Sequence, residues 1–405
     1  MKKITLLFYL FSVLFLSNIN AQTRKMDWAD LYNPSLQART LRNLQWIGTT
    51  DFFTYNGDAK TILKGNAKTA KPDTLLTLDK LSEAVEALSL PALKALPVYT
   101  WIDNDRMTFT TGNKFIAYSL SKNKAEELNS IPDKADNVDI DRVQDRVAFT
   151  RDNNLFVCIK GKEAAVTHDA DKGIVNGQSV HRNEFGITKG TFWSPRGNLL
   201  AYYRMDETMV AQYPLVDISS RIATVENIRY PMAGETSHQV TLGVYNPETG
   251  KTVFMKTGGP DDHYLTNISW DPSEKYIYIA ELNREQDHMR FNKYDAQTGD
   301  FVKTLFEEAN ERYVEPLVPA QFLKTKPNQF IWQSQRDRYT HLYLYDTEGK
   351  LISQLTKGSW VVTAVNGFDQ TERHLYYTST EASPIQRQLY ELDLKSGKTI
   401  RLTTL

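Results

Sequence analysis

Serine, histidine, cysteine and carboxylate side chains are where chemistry would first be sought in this sequence. A serine nucleophile of the α/β-hydrolase kind sits on a strand-to-helix turn so tight that it needs glycine on both sides, G-x-S-x-G. The nearest approach is Gly177-Gln178-Ser179-Val180-His181, which lacks the second glycine and leads into no helical pattern. There is no H-E-x-x-H, no C-x-x-C pair and no glycine-rich phosphate loop. The seven histidines, His168, His181, His238, His263, His288, His341 and His374, stand singly. None lies at metal-ligand spacing from another, which predicts surface or satisfied strand positions. Asp133, Asp136, Asp139, Asp141 and Asp145 lack the glycine and closing glutamate of a calcium loop and predict a solvated turn. Asp261-Asp262-His263 follows a Gly-Gly-Pro turn and reads the same way. Cys158, in the apolar run LFVC, has no cationic neighbour to lower its pKa and predicts a buried, inert thiol. On these residues alone the chain is a binding or accessory module.

The elements that would position such residues are short strands. Five stretches share an aromatic or apolar lead, a polar turn and an aromatic-rich strand of period two. They are DRVQDRVAFT (141–150), WSPRGNLLAYYRMDE (193–207), WDPSEKYIYIAEL (270–282), FLKTKPNQFIWQSQ (322–335) and FDQTERHLYYTST (368–380). Hairpins such as LGVYNPETGKTVF (242–254) and LYLYDTEGKLISQL (342–355) follow, with glycine supplying the positive φ of the turn. Repeats of about 40–50 residues built from four short strands predict a β-propeller, with a β-sandwich array as the alternative. The long interval from 193 to 270 leaves room for an insertion. One amphipathic helix is predicted in TLDKLSEAVEALSL (77–90), with Leu78, Leu81, Val85 and Leu88 on one face.

Composition narrows the function classes. Basic and acidic residues number 48 and 49, a net charge of −1 that gives no basic surface for nucleic acid. A single cysteine closes no internal disulfide. Lys2 and Lys3 precede the apolar run ITLLFYLFSVLFL, and Ala21-Gln22 follows a short polar stretch. This is the layout of a secretory signal peptide over residues 1–21, cleaved after Ala21, and it predicts a periplasmic or extracellular protein.

Residues 176–207, NGQSVHRNEFGITKGTFWSPRGNLLAYYRMDE, resemble the propeller of the dipeptidyl peptidase IV family of prolyl oligopeptidase-type serine peptidases, nearest to its bacterial prolyl tripeptidyl peptidase branch. YPMAG (230–234), LTNISW (265–270), YVEPL (313–317), NQFIWQSQRD (328–337) and TEASP (380–384) extend the resemblance over most of the chain. It implies an all-β fold, a β-propeller that is eight-bladed in the family and incomplete here. A signal peptide (1–21), an N-terminal segment (22–45) and a propeller (46–405) truncated at its C-terminus are expected. The α/β-hydrolase domain with its Ser, Asp and His is absent from this sequence, so no catalytic residue is expected in it. The favoured expectation is a fragment of a longer exopeptidase, inactive alone, with a truncated non-catalytic scaffold as the rival. The resemblance further implies that Glu184 binds the free amino group of a peptide, with Asn183 as a weaker second contributor. Two adjacent glutamates do this in the dipeptidyl branch; Arg182 and Asn183 stand before Glu184 here, which fits tripeptide release. The expected partners are peptides with proline near the N-terminus, the hydrolase domain and a second copy in a homodimer; no cofactor and no metal are expected.

Overall fold

The structure, a computed structural model, describes residue 25 and residues 27–36 and 40–403. The signal peptide expected over residues 1–21 lies outside the described residues. Seven antiparallel sheets follow one another along the chain as the blades of a propeller, covering 42–77, 99–130, 136–165, 174–254, 264–309, 321–354 and 362–401. Five of them carry the repeats recognised in the sequence. The first two, whose opening strands end in Trp46 and Trp101, precede those repeats, and the strand Arg42–Trp46 straddles the expected start of the propeller.

Burial fixes the radial order of the strands. In blade 5 the first strand, Tyr264–Trp270, is buried along nearly all its length, whereas the last, Phe301–Ala309, is mostly exposed or half-exposed. The last strands of blades 3 and 7, Lys162–Ala165 and Thr399–Arg401, are likewise open to solvent. First strands therefore line the axis and last strands form the rim, as in propellers generally. A four-stranded sheet cannot bury both of its faces by itself, so its apolar side chains pack against the next blade. Hydrophobic cores accordingly join blades 1 and 2, 3 and 4, 4 and 5, 5 and 6, and 6 and 7. Between blades 2 and 3 the join is polar: buried Asn129 donates to the carbonyls of Asp145 (2.7 Å) and Cys158 (2.9 Å) and accepts from Gly161 N–H (2.9 Å). Cys158 is buried there, with Sγ 3.3 Å from Asn129 Oδ1.

The repeated lead and its polar turn serve this stacking. The indole N–H of Trp193 donates to Asp139 O of the preceding blade (3.2 Å), and that of Trp270 to Phe192 O (2.9 Å). Four residues after the lead, a carboxylate reaches back over the same boundary. Glu274 accepts from Arg196 N–H (2.6 Å) and Asn198 Nδ2 (2.7 Å), and Glu372 accepts from Lys324 N–H (2.9 Å) and Thr325 N–H (2.7 Å). Blade 7 meets blade 1 through Gln370 Nε2, which donates to Thr49 O (2.6 Å). Among the described residues no hydrophobic core spans that last boundary.

Three local expectations are resolved. The helix Leu78–Glu86, capped by Thr77, buries Leu81 and Val85 against blades 1 and 2. The acidic stretch is mainly strand, not a solvated turn: Asp136–Asp141 is the first strand of blade 3. Asp141 at its end is buried because it accepts the N–H groups of Val143 (2.9 Å) and Gln144 (3.0 Å), shaping the turn that follows. The long interval within blade 4 holds a projecting hairpin, Gln212–Asp217 with Thr224–Arg229, whose connecting turn leaves Ile218 and Ile222 exposed to solvent.

Candidate functional site

The axial strand of blade 4 is broken in two. Its halves, Ile174–Asn176 and Thr191–Trp193, both pair with the second strand, Leu200–Asp206, and leave only Tyr203 between them. Gly177 N–H donates to Tyr203 O (2.8 Å) and Tyr203 N–H donates to Gly190 O (2.9 Å), so the chain between these glycines loops out from the strand nearest the axis. The two ends of the loop cross so closely that a Cβ on Gly190 would fall 2.0 Å from Gln178 O. Glycine is the residue that allows that crossing.

The loop is pinned on alternate sides. Val180 and Ile187 enter the core between blades 4 and 5, and Phe185 enters the core between blades 5 and 6, edge-on to Tyr264 at 5.0 Å. Gly186 sits at φ +73° against the linker into blade 6, where a Cβ would lie 2.1 Å from Leu317 O. His181, Arg182, Asn183 and Phe185 have φ of 52°, 56°, 64° and 54°. Left-handed backbone costs non-glycine residues about 1–2 kcal/mol each and persists only where surrounding contacts enforce it.

Between the pins, Arg182, Asn183 and Glu184 face solvent. The Glu184 backbone is committed, its N–H donating to His181 O (3.1 Å) and its carbonyl accepting from Ile187 N–H (3.0 Å). Its carboxylate makes no hydrogen bond or ion pair among the described residues. Arg182 lays its guanidinium over the Tyr230 ring at 4.6 Å instead of forming the surface ion pair its type would suggest. Burial raises the carboxyl pKa of Glu207 nearby, an effect opposed by Arg229 and Arg182. Next to the tip, the linker to Leu317 walls a cavity of about 850 Å³ lined by Glu308, Tyr313, Glu315, Trp332, Gln335 and Arg336. On its floor, Glu308 accepts from Trp332 Nε1 (2.8 Å), Ser334 Oγ (2.8 Å) and Arg336 Nη2 (2.6 Å).

The histidines depart from the sequence expectation of single, separate residues. His181 and His238 are both buried, with Nδ1 of the first 3.0 Å from Nε2 of the second. Their 57-residue separation hides this in the sequence, because the fold brings the loop of blade 4 beside the residue that precedes its third strand. Glu184 and Asn183 are adjacent and exposed at the tip, while Phe185, Tyr202 and Tyr203 are buried packing residues.

These features define a β-propeller with a strained, solvent-facing loop on its axial strand, and comparison with known proteins places it further. Residues 101–405 match the family model described as the dipeptidyl peptidase IV (DPP IV) N-terminal region, and the chain belongs to that family. The solved structure of a Bacteroides ovatus protein assigned as a dipeptidyl aminopeptidase IV superposes with a TM-score of 0.82 at 42% identity, covering 89% of this chain and 53% of the other. An Aspergillus flavus protein assigned as dipeptidyl peptidase 4 is 25% identical over 378 residues, 87% of this chain and 49% of its own. A Talaromyces marneffei protein assigned as dipeptidyl-aminopeptidase B is 29% identical over 290 residues, 64% of this chain and 32% of its own. The chain thus spans between a third and a half of the curated relatives it matches.

The close approach at Gly186 has a direct test. Gly250 is also left-handed, at φ +68°, but has open space around it. Gly250→Ala is expected to cost about 1 kcal/mol of stability, the backbone penalty alone. Gly186→Ala is expected to cost about 1–3 kcal/mol more, because its methyl group meets the Leu317 carbonyl. Urea unfolding of both variants checks this, and equal losses would contradict the packing of the loop on the blade 6 linker.

Proposed function

We propose that this chain is the propeller portion of an exported, prolyl-specific serine exopeptidase, and that it gates peptide entry and binds the peptide's free amino terminus through Glu184. The observation that carries this reading is a carboxylate without a partner among the described residues, held at the tip of a strained, multiply pinned loop on the axial strand. An ammonium group is its complement: it donates up to three hydrogen bonds, and those to a carboxylate are the strong, charge-assisted kind. Asn183 Oδ1 is a second, weaker acceptor for the same group.

An anchor at a fixed distance from a nucleophile counts residues. The family resemblance supplies paired glutamates for dipeptide release, and Arg182-Asn183-Glu184 offers one, which favours a tripeptide product. Peptide hydrolysis belongs to an α/β-hydrolase domain of the complete protein, through a serine acyl-enzyme. The last boundary of the propeller, held by Gln370 and Thr49 without a shared apolar core, suits insertion of an eighth blade from that complete protein. Export rests on Lys2, Lys3 and the apolar run after them. N-terminal sequencing of the secreted protein should begin at Gln22, and a retained leader would contradict it.

In the complete protein, Glu184→Ala should lower kcat/KM on free-amine X-X-Pro substrates by about 10–100-fold, the worth of one charge-assisted hydrogen bond. N-acetylated counterparts should change by less than about twofold, since they offer no ammonium to the carboxylate. Equal losses on the two substrate types would remove Glu184 as the amine anchor.

A further inference from the structure

The hydrogen-bond directions at His181 are determined by its partners. A backbone N–H can only donate, and Leu265 N–H points at His181 Nε2 (3.2 Å), so that nitrogen carries the lone pair. The proton of a neutral His181 is therefore on Nδ1, which donates to His238 Nε2 (3.0 Å). His238 in turn carries its proton on Nδ1. The chain of bonds joins three elements: the loop bearing Glu184, the residue before the third strand of blade 4, and the axial strand of blade 5. Tyr264 closes the arrangement, edge-on to both His181 and Phe185 at 5.0 Å, with its hydroxyl accepting from Arg284 Nη1 (2.7 Å).

We propose that His181 and His238 are positioning residues for the amine anchor, a latch that holds the Glu184 loop only while both imidazoles are neutral. The proposal rests on the reading of Glu184 given above for its functional meaning, while the latch itself is a property of the free protein. A proton added to His181 would sit on Nε2 and face the Leu265 N–H. A proton added to His238 would sit on Nε2 and face the His181 Nδ1–H. Either event sets two donors against each other and breaks one of the two bonds that His181 makes outside its loop.

The surroundings offer a proton no compensation. Burial lowers the pKa of His181 well below the usual imidazole value, with His238, His263 and Arg284 adding to the effect. His238 is pushed down to about 4 by burial, Arg284 and Arg182. His263, from the turn before blade 5, is lowered by burial against the opposing pull of Asp262 and Asp261, and the carboxyl pKa of Glu207 is raised by burial against the opposing charges of Arg229 and Arg182. No carboxylate is bonded to either member of the pair among the described residues. Since both histidines bind protons more readily when the loop is released, acid favours release. The sign is that of any group with a depressed folded pKa: the latch is intact above the free value near 6.5 and weakens as pH falls below it.

Hydrogen exchange of the full chain, without peptide, tests the latch between pH 8 and pH 5 after correction for intrinsic exchange. Protection of residues 178–190 and of Leu265 N–H should fall by roughly thirtyfold per imidazole, while the rest of the strands of blades 4 and 5 keep theirs. In His238→Gln the amide oxygen takes the place of Nε2 and accepts the same bond without titrating. It should match the parent at pH 8 and lose about thirtyfold less protection by pH 5. His238→Ala should be unprotected in this segment already at pH 8; if it does not fold, the parent and His238→Gln still decide. In the complete protein, KM for free-amine peptides should rise as pH falls from 7 to 5, and rise less in His238→Gln. Protection of 178–190 that is flat with pH, or a His238→Gln profile as steep as the parent's, would overturn the proposal. Glu184→Ala should leave the exchange profile unchanged, so failure of the anchor reading shows in the peptide kinetics alone.

Discussion

Every blade of this propeller has two faces and can bury neither alone. The stacking of one sheet on the next is the constraint from which the remaining structure follows. It explains why apolar cores lie between blades, why tryptophan leads the repeats at 193 and 270, and why a glutamate comes four residues after Trp270 and Phe368. Trp193 and Trp270 fill space on the axial side and spend their one donor on a carbonyl of the preceding blade. Glu274 and Glu372 take up amide N–H groups in the preceding blade's turn, which would otherwise need water. A ring made this way holds its axial strands rigidly, and a loop rooted in one of them inherits that rigidity at both ends.

The loop of blade 4 uses that support against its own backbone preference. Four non-glycine residues near its tip are left-handed, and the compensation comes from Val180, Phe185 and Ile187 in two different cores and from His181 between two blades. Three consecutive side chains, Arg182 to Glu184, are thereby turned outward with little freedom to retreat. Preorganisation of this kind lowers the entropy that a ligand must offset on binding. It suits a site whose task is to hold one small charged group at a fixed place.

Much of this was legible in the residues. Alternating aromatic strands, glycine turns and the spacing of WSP and WDP indicated a propeller. The apolar stripe Leu78, Leu81, Val85 indicated the helix Leu78–Glu86, and LFVC indicated a buried thiol. Glu184 emerged only through family resemblance, since an exposed carboxylate beside Asn and Arg has no local signature. Blades 1 and 2 escaped the repeat because the turns after Trp46 and Trp101, IGTTD and IDNDR, lack the proline of WSP and WDP. The His181–His238–Leu265 connection spans 57 and 84 residues, set by the return of the chain after the projecting hairpin and by the docking of the next blade. No period or spacing encodes it. The burial of Asp141 is hidden for a similar reason: its partners are the backbone N–H groups of Val143 and Gln144 in the turn that follows, and an acidic composition does not reveal them.

The central claim is that the blade 4 loop presents a carboxylate to the amino end of a peptide. A structure of the complete protein with an uncleaved X-X-Pro peptide bound tests it most directly. The account predicts the peptide's terminal nitrogen within about 3 Å of a Glu184 carboxylate oxygen, at charge-assisted hydrogen-bond distance. A peptide whose amino terminus is held elsewhere, with Glu184 still turned to solvent, would contradict it.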